Sequence, residues 1–259
     1  MHHLNTFTLS LLTAMMLLAA CGDLKKTNEP ADDESQAIST FKAVEGDSTL
    51  YGLACDGCTD SVIVFLPFSG GNPDTFNIID ARRNHRLFGR PNIGDELAIL
   101  LNPDDSTKAL SVFVLDELRQ AWCYEAKPTL RPHAGGGQQA PTLPDSMLAQ
   151  LLKPREYGFK LRRDYTASPI GFVPQQTSDE QRPVEYPPLK WYNEWRLFNG
   201  RLILTVNTTK MMVSEDEKRI EHDTADVVML RSDTLVLRFA DHEQGYYRMR
   251  EDSLQKGKE

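Results

Sequence analysis

The chain has 259 residues, with 37 acidic and 29 basic side chains and a formal net charge of −8. All of that charge lies after residue 20, because residues 1–20 contain no Asp, Glu, Lys or Arg. An acidic body argues against nucleic acid as a partner and against electrostatic adhesion to anionic lipid.

Residues 9–20, Leu-Ser-Leu-Leu-Thr-Ala-Met-Met-Leu-Leu-Ala-Ala, are apolar and uncharged. They fall short of the ~20 residues that a membrane-crossing helix needs, and they read as the h-region of a signal peptide over residues 1–20. The n-region departs from pattern in carrying His2 and His3 but no Lys or Arg. Leu18-Ala19-Ala20-Cys21-Gly22 resembles a bacterial lipobox, in which small residues precede an acylated cysteine. The resemblance implies that Cys21 carries a thioether-linked glyceride and an amide-linked chain, and two or more acyl chains anchor a protein stably. Residues 21–40 are polar and poor in bulky apolar groups, as a disordered tether is. No later transmembrane segment is evident. The segment after Cys21 lacks an immediate acidic run, which points to the periplasmic side of the outer membrane, with surface exposure as the alternative.

Residues 41–131 read as one β-rich unit. Strand candidates cover 61–66, 75–80, 96–101 and 111–115, separated by turn clusters such as Asn102-Pro103-Asp104-Asp105. Short strands at regular spacing predict a barrel or sandwich. With Cys21 acylated, Cys55, Cys58 and Cys123 remain, and an odd count leaves one thiol over in an oxidising compartment. Redox catalysis at Cys55-Asp56-Gly57-Cys58 would need a helix behind the pair to lower the thiolate pKa, yet a β-branched run follows it. Zinc would need Cys123 with His85 or His133, without a second paired ligand motif, so no metal is expected. A structural disulfide is expected instead, either within the Cys55–Cys58 turn or from one of its members to Cys123.

The segment Tyr51-Gly-Leu-Ala-Cys55-Asp-Gly-Cys58-Thr-Asp-Ser-Val-Ile-Val-Phe-Leu66 resembles the start of the NlpE-type envelope lipoprotein domain. There a cysteine pair so spaced sits just before the first strand of a small β-barrel. The resemblance implies a periplasm-facing lipoprotein that binds or senses.

Residues 132–154 combine a Gly- and Pro-rich loop with one short helix, with Asp145 or Ser146 as N-cap and a body over 147–152. Strands return over 155–250, at 158–164, 191–198, 201–206, 226–230, 235–239 and 245–249. Asn199-Gly200 is a strong two-residue hairpin signal, and Ser232-Asp233 marks a second tight turn. A proline-rich insertion from Pro169 to Pro188 interrupts the half, which is short for eight strands. Residues 195–204, 226–239 and Tyr246-Tyr247-Arg248 resemble the small lipocalin-like domains of Bacteroidetes lipoproteins. Residues 251–259 read as a disordered tail. The fold class is therefore all-β, with two barrel-like or meander modules in tandem and one short helix between them.

Chemistry is sparse. There is no nucleophile elbow, no His-Glu-x-x-His and no dinucleotide fingerprint. Asp80-Ala-Arg82-Arg83-Asn-His85-Arg86 places a base among arginines that suit planar anions, a phosphate- or carboxylate-handling hydrolase reading. Set against it is a solvated charge run. Trp191, Trp195, Phe198 and Tyr246 are candidates to line an apolar pocket, although core filling explains them as well. The expected function is a non-enzymatic binding, sensing or structural role at the envelope, without a cofactor. An envelope protein or a small apolar ligand is the expected partner, and a lipocalin-like carrier is the alternative.

Overall fold

A computed structural model describes residues 44–130, 144–171, 184–187, 190–209 and 218–249. The expected signal peptide, Cys21 with the expected tether, the loop at 131–143 with His133, most of the Pro169–Pro188 insertion and the expected tail lie outside these residues.

The structure is all-β. The first sheet holds β1 (Thr49–Ala54), β2 (Val62–Pro67), β3 (Asp74–Asn77), β4 (Leu87–Phe88), β5 (Glu96–Asn102) and β6 (Asp105–Val114). Five of these strands close a ring in the order β1-β2-β3-β6-β5, with β3 and β6 parallel and the other pairs antiparallel. Helix α1 (Ile79–Arg83) joins β3 to the rest. This is the five-stranded Greek-key plan of OB-type barrels. Side chains of Ile63, Phe65, Phe76, Leu97, Ile99, Val112 and Val114 fill it.

Helix α2 (Leu115–Leu118) leads directly into β7 (Ala121–Ala126), the first strand of a second barrel. β8 (Thr129–Leu130) and the exposed helix α3 (Asp145–Leu151) follow. Then come β9 (Arg155–Leu161), β10 (Ala167–Ile170), β11 (Val184–Glu185), β12 (Glu194–Phe198), β13 (Arg201–Asn207), β14 (Ile220–Leu230), β15 (Thr234–Arg238) and β16 (Glu243–Arg248). Eight of these run β10-β9-β7-β16-β15-β14-β13-β12. The ends nearly meet through an antiparallel bridge from Thr166 to Glu194, with Ala167 N–H donating to Asn193 O and Trp195 N–H to Tyr165 O, both at 2.9 Å. Apart from the β8–β11 ribbon, neighbours around the ring follow chain order, as in an up-and-down barrel.

Strand β7 is the main departure from the sequence reading, which places residues 41–131 in the first unit. Hydrogen bonding to β9 and β16 puts β7 in the second sheet, where it supplies the strand that the 155–250 half lacks. The sequence AWCYEA alternates as a barrel wall should: Trp122 and Tyr124 stand opposite Phe159 and Tyr157. The segment 75–80, expected as a strand, ends at Asn77, whose Oδ1 accepts from Ile79 N–H at 2.9 Å in a turn that leads into α1. The cysteine pair follows β1 and lies in the β1–β2 turn, so it does not precede the first strand.

The two barrels share one core. Tyr51, Phe88, Ala98 and Phe113 of the first barrel join Leu115 and Leu118 of α2 and Trp122, Trp195, Leu197, Leu202, Leu235 and Leu237 of the second. This explains the unbroken apolar run of β5: Leu97 and Ile99 face their own barrel, and Ala98 faces the shared core. The Tyr51 hydroxyl donates to Leu197 O at 2.9 Å across the joint. Asn199 and Gly200 adopt φ of 49° and 72° and make the β12–β13 turn, as the sequence predicts. Asn199 Oδ1 accepts from Ser48 N–H at 2.8 Å and from Ser48 Oγ at 2.7 Å, and its Nδ2 donates to Gly46 O at 3.1 Å.

Candidate functional site

An eight-stranded barrel is wide enough to be filled by side chains or to hold one small ligand, and this one is filled over part of its length and hollow over the rest. Toward the first barrel the lumen is packed solid around Trp122 and Trp195, whose indole N–H groups donate to Leu118 O at 2.8 Å and Arg162 O at 2.9 Å. Elsewhere it opens into a cavity of about 590 Å³. Tyr124, Tyr157, Phe159, Tyr192, Phe239 and Tyr246 give it an aromatic lining, with Pro169, Ile170 and Ala240 among the aliphatic contributors.

The rings form a connected wall. Tyr124 meets Tyr246 edge to face at 5.5 Å, Tyr246 lies 5.2 Å from Phe159, and Phe159 meets Tyr192 edge to face at 6.0 Å. Such edge-to-face pairs are favourable in themselves and hold the rings in fixed orientations. Burial raises the hydroxyl pKa of Tyr124, Tyr192 and Tyr246 above the ordinary tyrosine value, so all three stay protonated. Polar groups gather around Asp223, whose carboxylate accepts from Lys190 Nζ and from the Tyr192 hydroxyl, each at 2.6 Å. His242 stacks on Phe239 and bonds Asp241 at 2.7 Å.

Of the four aromatic candidates, Tyr246 lines this cavity. Trp195 is core, and borders a second hollow of about 510 Å³ at the joint with Asp47, Tyr51 and Tyr165. Trp191 and Phe198 are half-buried and line neither; the Arg196 guanidinium lies over the Phe198 ring, 5.6 Å from its centroid. The sequence reading misses Tyr124, Tyr157, Phe159 and Phe239. Inward alternation on β7 and β9 is the signal that could have found the first three.

The cationic cluster lies elsewhere. Arg82, Arg83, His85 and Arg86 are exposed on and after α1, and neither cavity is lined by them. Arg82 is committed to the Asp60 carboxylate at 2.5 Å. Where the sequence leads one to expect a disulfide, Cys55, Cys58 and Cys123 are free thiols. Cys58 Sγ accepts from Val64 N–H at 3.3 Å, while Cys123 is buried in β7 with its sulfur 3.7 Å from Met249 Sδ. Among the described residues no group of three or more His, Cys, Asp or Glu is arranged to hold a metal ion. No described helix is long and apolar enough to cross a membrane.

No protein-family model matches the chain, and no curated protein matches it. Among solved structures it is similar to a lipocalin-like protein from Bacteroides thetaiotaomicron, at 17% identity and a TM-score of 0.29, over 51% of this chain and 97% of that one.

Proposed function

We propose that the protein is a membrane-anchored lipoprotein of the bacterial envelope whose body works by binding rather than catalysis, with a small ligand held in the second barrel. One observation carries the binding half of this reading: the cavity of about 590 Å³ with a connected aromatic wall inside a nearly closed barrel. Its size falls within the range of small-molecule sites, and a few convergent polar groups accompany the apolar lining, as such sites require. The anchor rests on the apolar run at 9–20 and on Cys21 within Leu-Ala-Ala-Cys-Gly. The periplasmic face of the outer membrane rests on the lack of an acidic run directly after Cys21.

A fluorescent naphthylamine dye that brightens in apolar surroundings tests the cavity. The full chain should bind it at micromolar concentration. Ala240→Trp, which puts a large side chain on the cavity lining, should weaken binding at least tenfold. Undiminished binding by that variant would move the ligand site out of the barrel. For the anchor, Cys21→Ala should shift the protein from the membrane to the soluble fraction. Native mass spectrometry of protein taken from its own envelope then separates a carrier, with a bound small molecule, from a sensor with a protein partner.

A further inference from the structure

The cavity carries a charge where a carrier of purely apolar ligands would have none. Asp223 is mostly covered, with its side chain 22% exposed, and it stands beside the ring wall of Tyr192, Phe159, Tyr246 and Tyr124. Aromatic faces carry the negative part of the ring quadrupole, so carboxylate and wall attract the same partner, a positive charge. The tyrosines register this field. Burial and then Asp223 push the Tyr192 hydroxyl up, and Asp223 also contributes at Tyr246 after burial and Tyr124. Other charged or titratable groups on the lining have partners of their own: Arg201 with Asp226 at 2.8 Å, His242 with Asp241, and His222 with the Thr205 hydroxyl at 2.9 Å.

An ammonium group already occupies the place. Lys190 Nζ lies 2.6 Å from Asp223 Oδ1, yet its side chain is 49% exposed and comes from the segment just before β12. Besides that contact it feels only the weaker pull of Asp241, an exposed carboxylate on the same lining. The lysine end of the pair is half exposed, so water screens the contact and the side chain can swing into solvent at little cost.

We propose that this end of the cavity is an ammonium subsite, taking an organic cation with a flat apolar body that displaces the Lys190 side chain from Asp223 and stacks on the tyrosine wall. Lys190 is then a built-in competitor that holds the site in register when no ligand is present. An anion seated on Lys190 would instead bring like charge against Asp223 and the ring faces. The proposal rests on the reading of this cavity as a ligand site.

The test uses three probes that share a ring and differ in charge: benzylammonium, benzyl alcohol and benzoate, titrated calorimetrically into the full chain. Benzylammonium should bind at least tenfold more tightly than the other two. Asp223→Asn, which keeps an acceptor for Tyr192, should abolish that preference and leave benzyl alcohol within twofold. Lys190→Met should strengthen benzylammonium binding threefold or more, a gain that misfolding cannot produce. Equal affinity for all three probes, or a preference for benzoate, overturns the proposal. If the naphthylamine dye still binds in that case, the cavity remains a ligand site and only the cation subsite is lost; if dye and probes all fail, both readings fall.

Discussion

The guanidinium of Arg119, the residue that ends α2, reaches the Glu96 carboxylate of β5, and both side chains are only 7% exposed. Arg163, in the turn between β9 and β10, bonds the other Glu96 oxygen at 2.8 Å, so an acid of the first barrel is shared with a base of the second. Removing one member of a buried ion pair strands the other without solvent, at a cost of about 3–5 kcal/mol. Glu96→Ala should lower the stability measured by urea unfolding by an amount near the lower end of that range, because Asp116 still faces both arginines. Because the core is shared, wild type and variant should each unfold in a single transition. Two separated transitions would contradict the shared core.

Trp195 and Phe198 lie three residues apart on one strand and should behave differently. Trp195 is buried in the joint core, and truncating a buried tryptophan costs about 3–5 kcal/mol. Phe198 is half-buried beneath an arginine, so Phe198→Ala should cost about 1 kcal/mol. Thermal melts of Trp195→Ala and Phe198→Ala decide it, and equal losses would refute the assignment of Trp195 to the core.

Burial raises the Cys123 thiol from 9.0 to about 12, whereas Cys55 and Cys58 are only partly covered. The thiolate is the reactive form, so at pH 8 Cys123 should be alkylated about a thousandfold more slowly than an ordinary thiol, while Cys55 and Cys58 react readily. The folded state favours the neutral thiol. Its contribution to stability is therefore complete below about pH 9 and is lost as pH rises through about 12. Mass mapping after timed iodoacetamide treatment reads the rates, and early label on Cys123 would show that β7 opens.

Asn199→Ala removes the acceptor for both Ser48 donors and leaves alanine at a φ of 49°. A loss of about 2 kcal/mol follows from hydrogen bonding and backbone strain together. Gly200→Ala adds strain of its own, since φ is +72° and its Cβ would stand 3.1 Å from Leu100 Cδ2. Asn199→Gly should cost less than Asn199→Ala, since it relieves the strain while losing the same bonds. The order of the two melting temperatures tests this.

The all-β class, the Asn199-Gly200 hairpin and the meander after residue 191 were legible because alternation and turn chemistry are local. Strand β1 was not. Its Gly52 lies so close to β2 that a Cβ would stand 2.1 Å from Leu66 O, and a glycine chosen for such an approach reads in sequence as a weak strand. Helix α1 is one turn and a half of charged residues, too short to show a period. Strand β7 alternates clearly, but its partners β9 and β16 begin some thirty and a hundred and twenty residues later. The cavity was half legible for the same reason. Tyr246 lies in a segment that pairs with its sequence neighbour β15, whereas Tyr124 and Tyr157 face the cavity only once β7 is in place.

Strand β7 pairs with β16, so the first and last strands of the second barrel lie side by side. During synthesis β7 must therefore wait, one edge bare, until residue 248 has left the ribosome, whereas the first barrel is complete by residue 114. Any factor that guards the nascent chain has to shield that edge, and a truncation inside β16 should leave an aggregating chain instead of a smaller working protein.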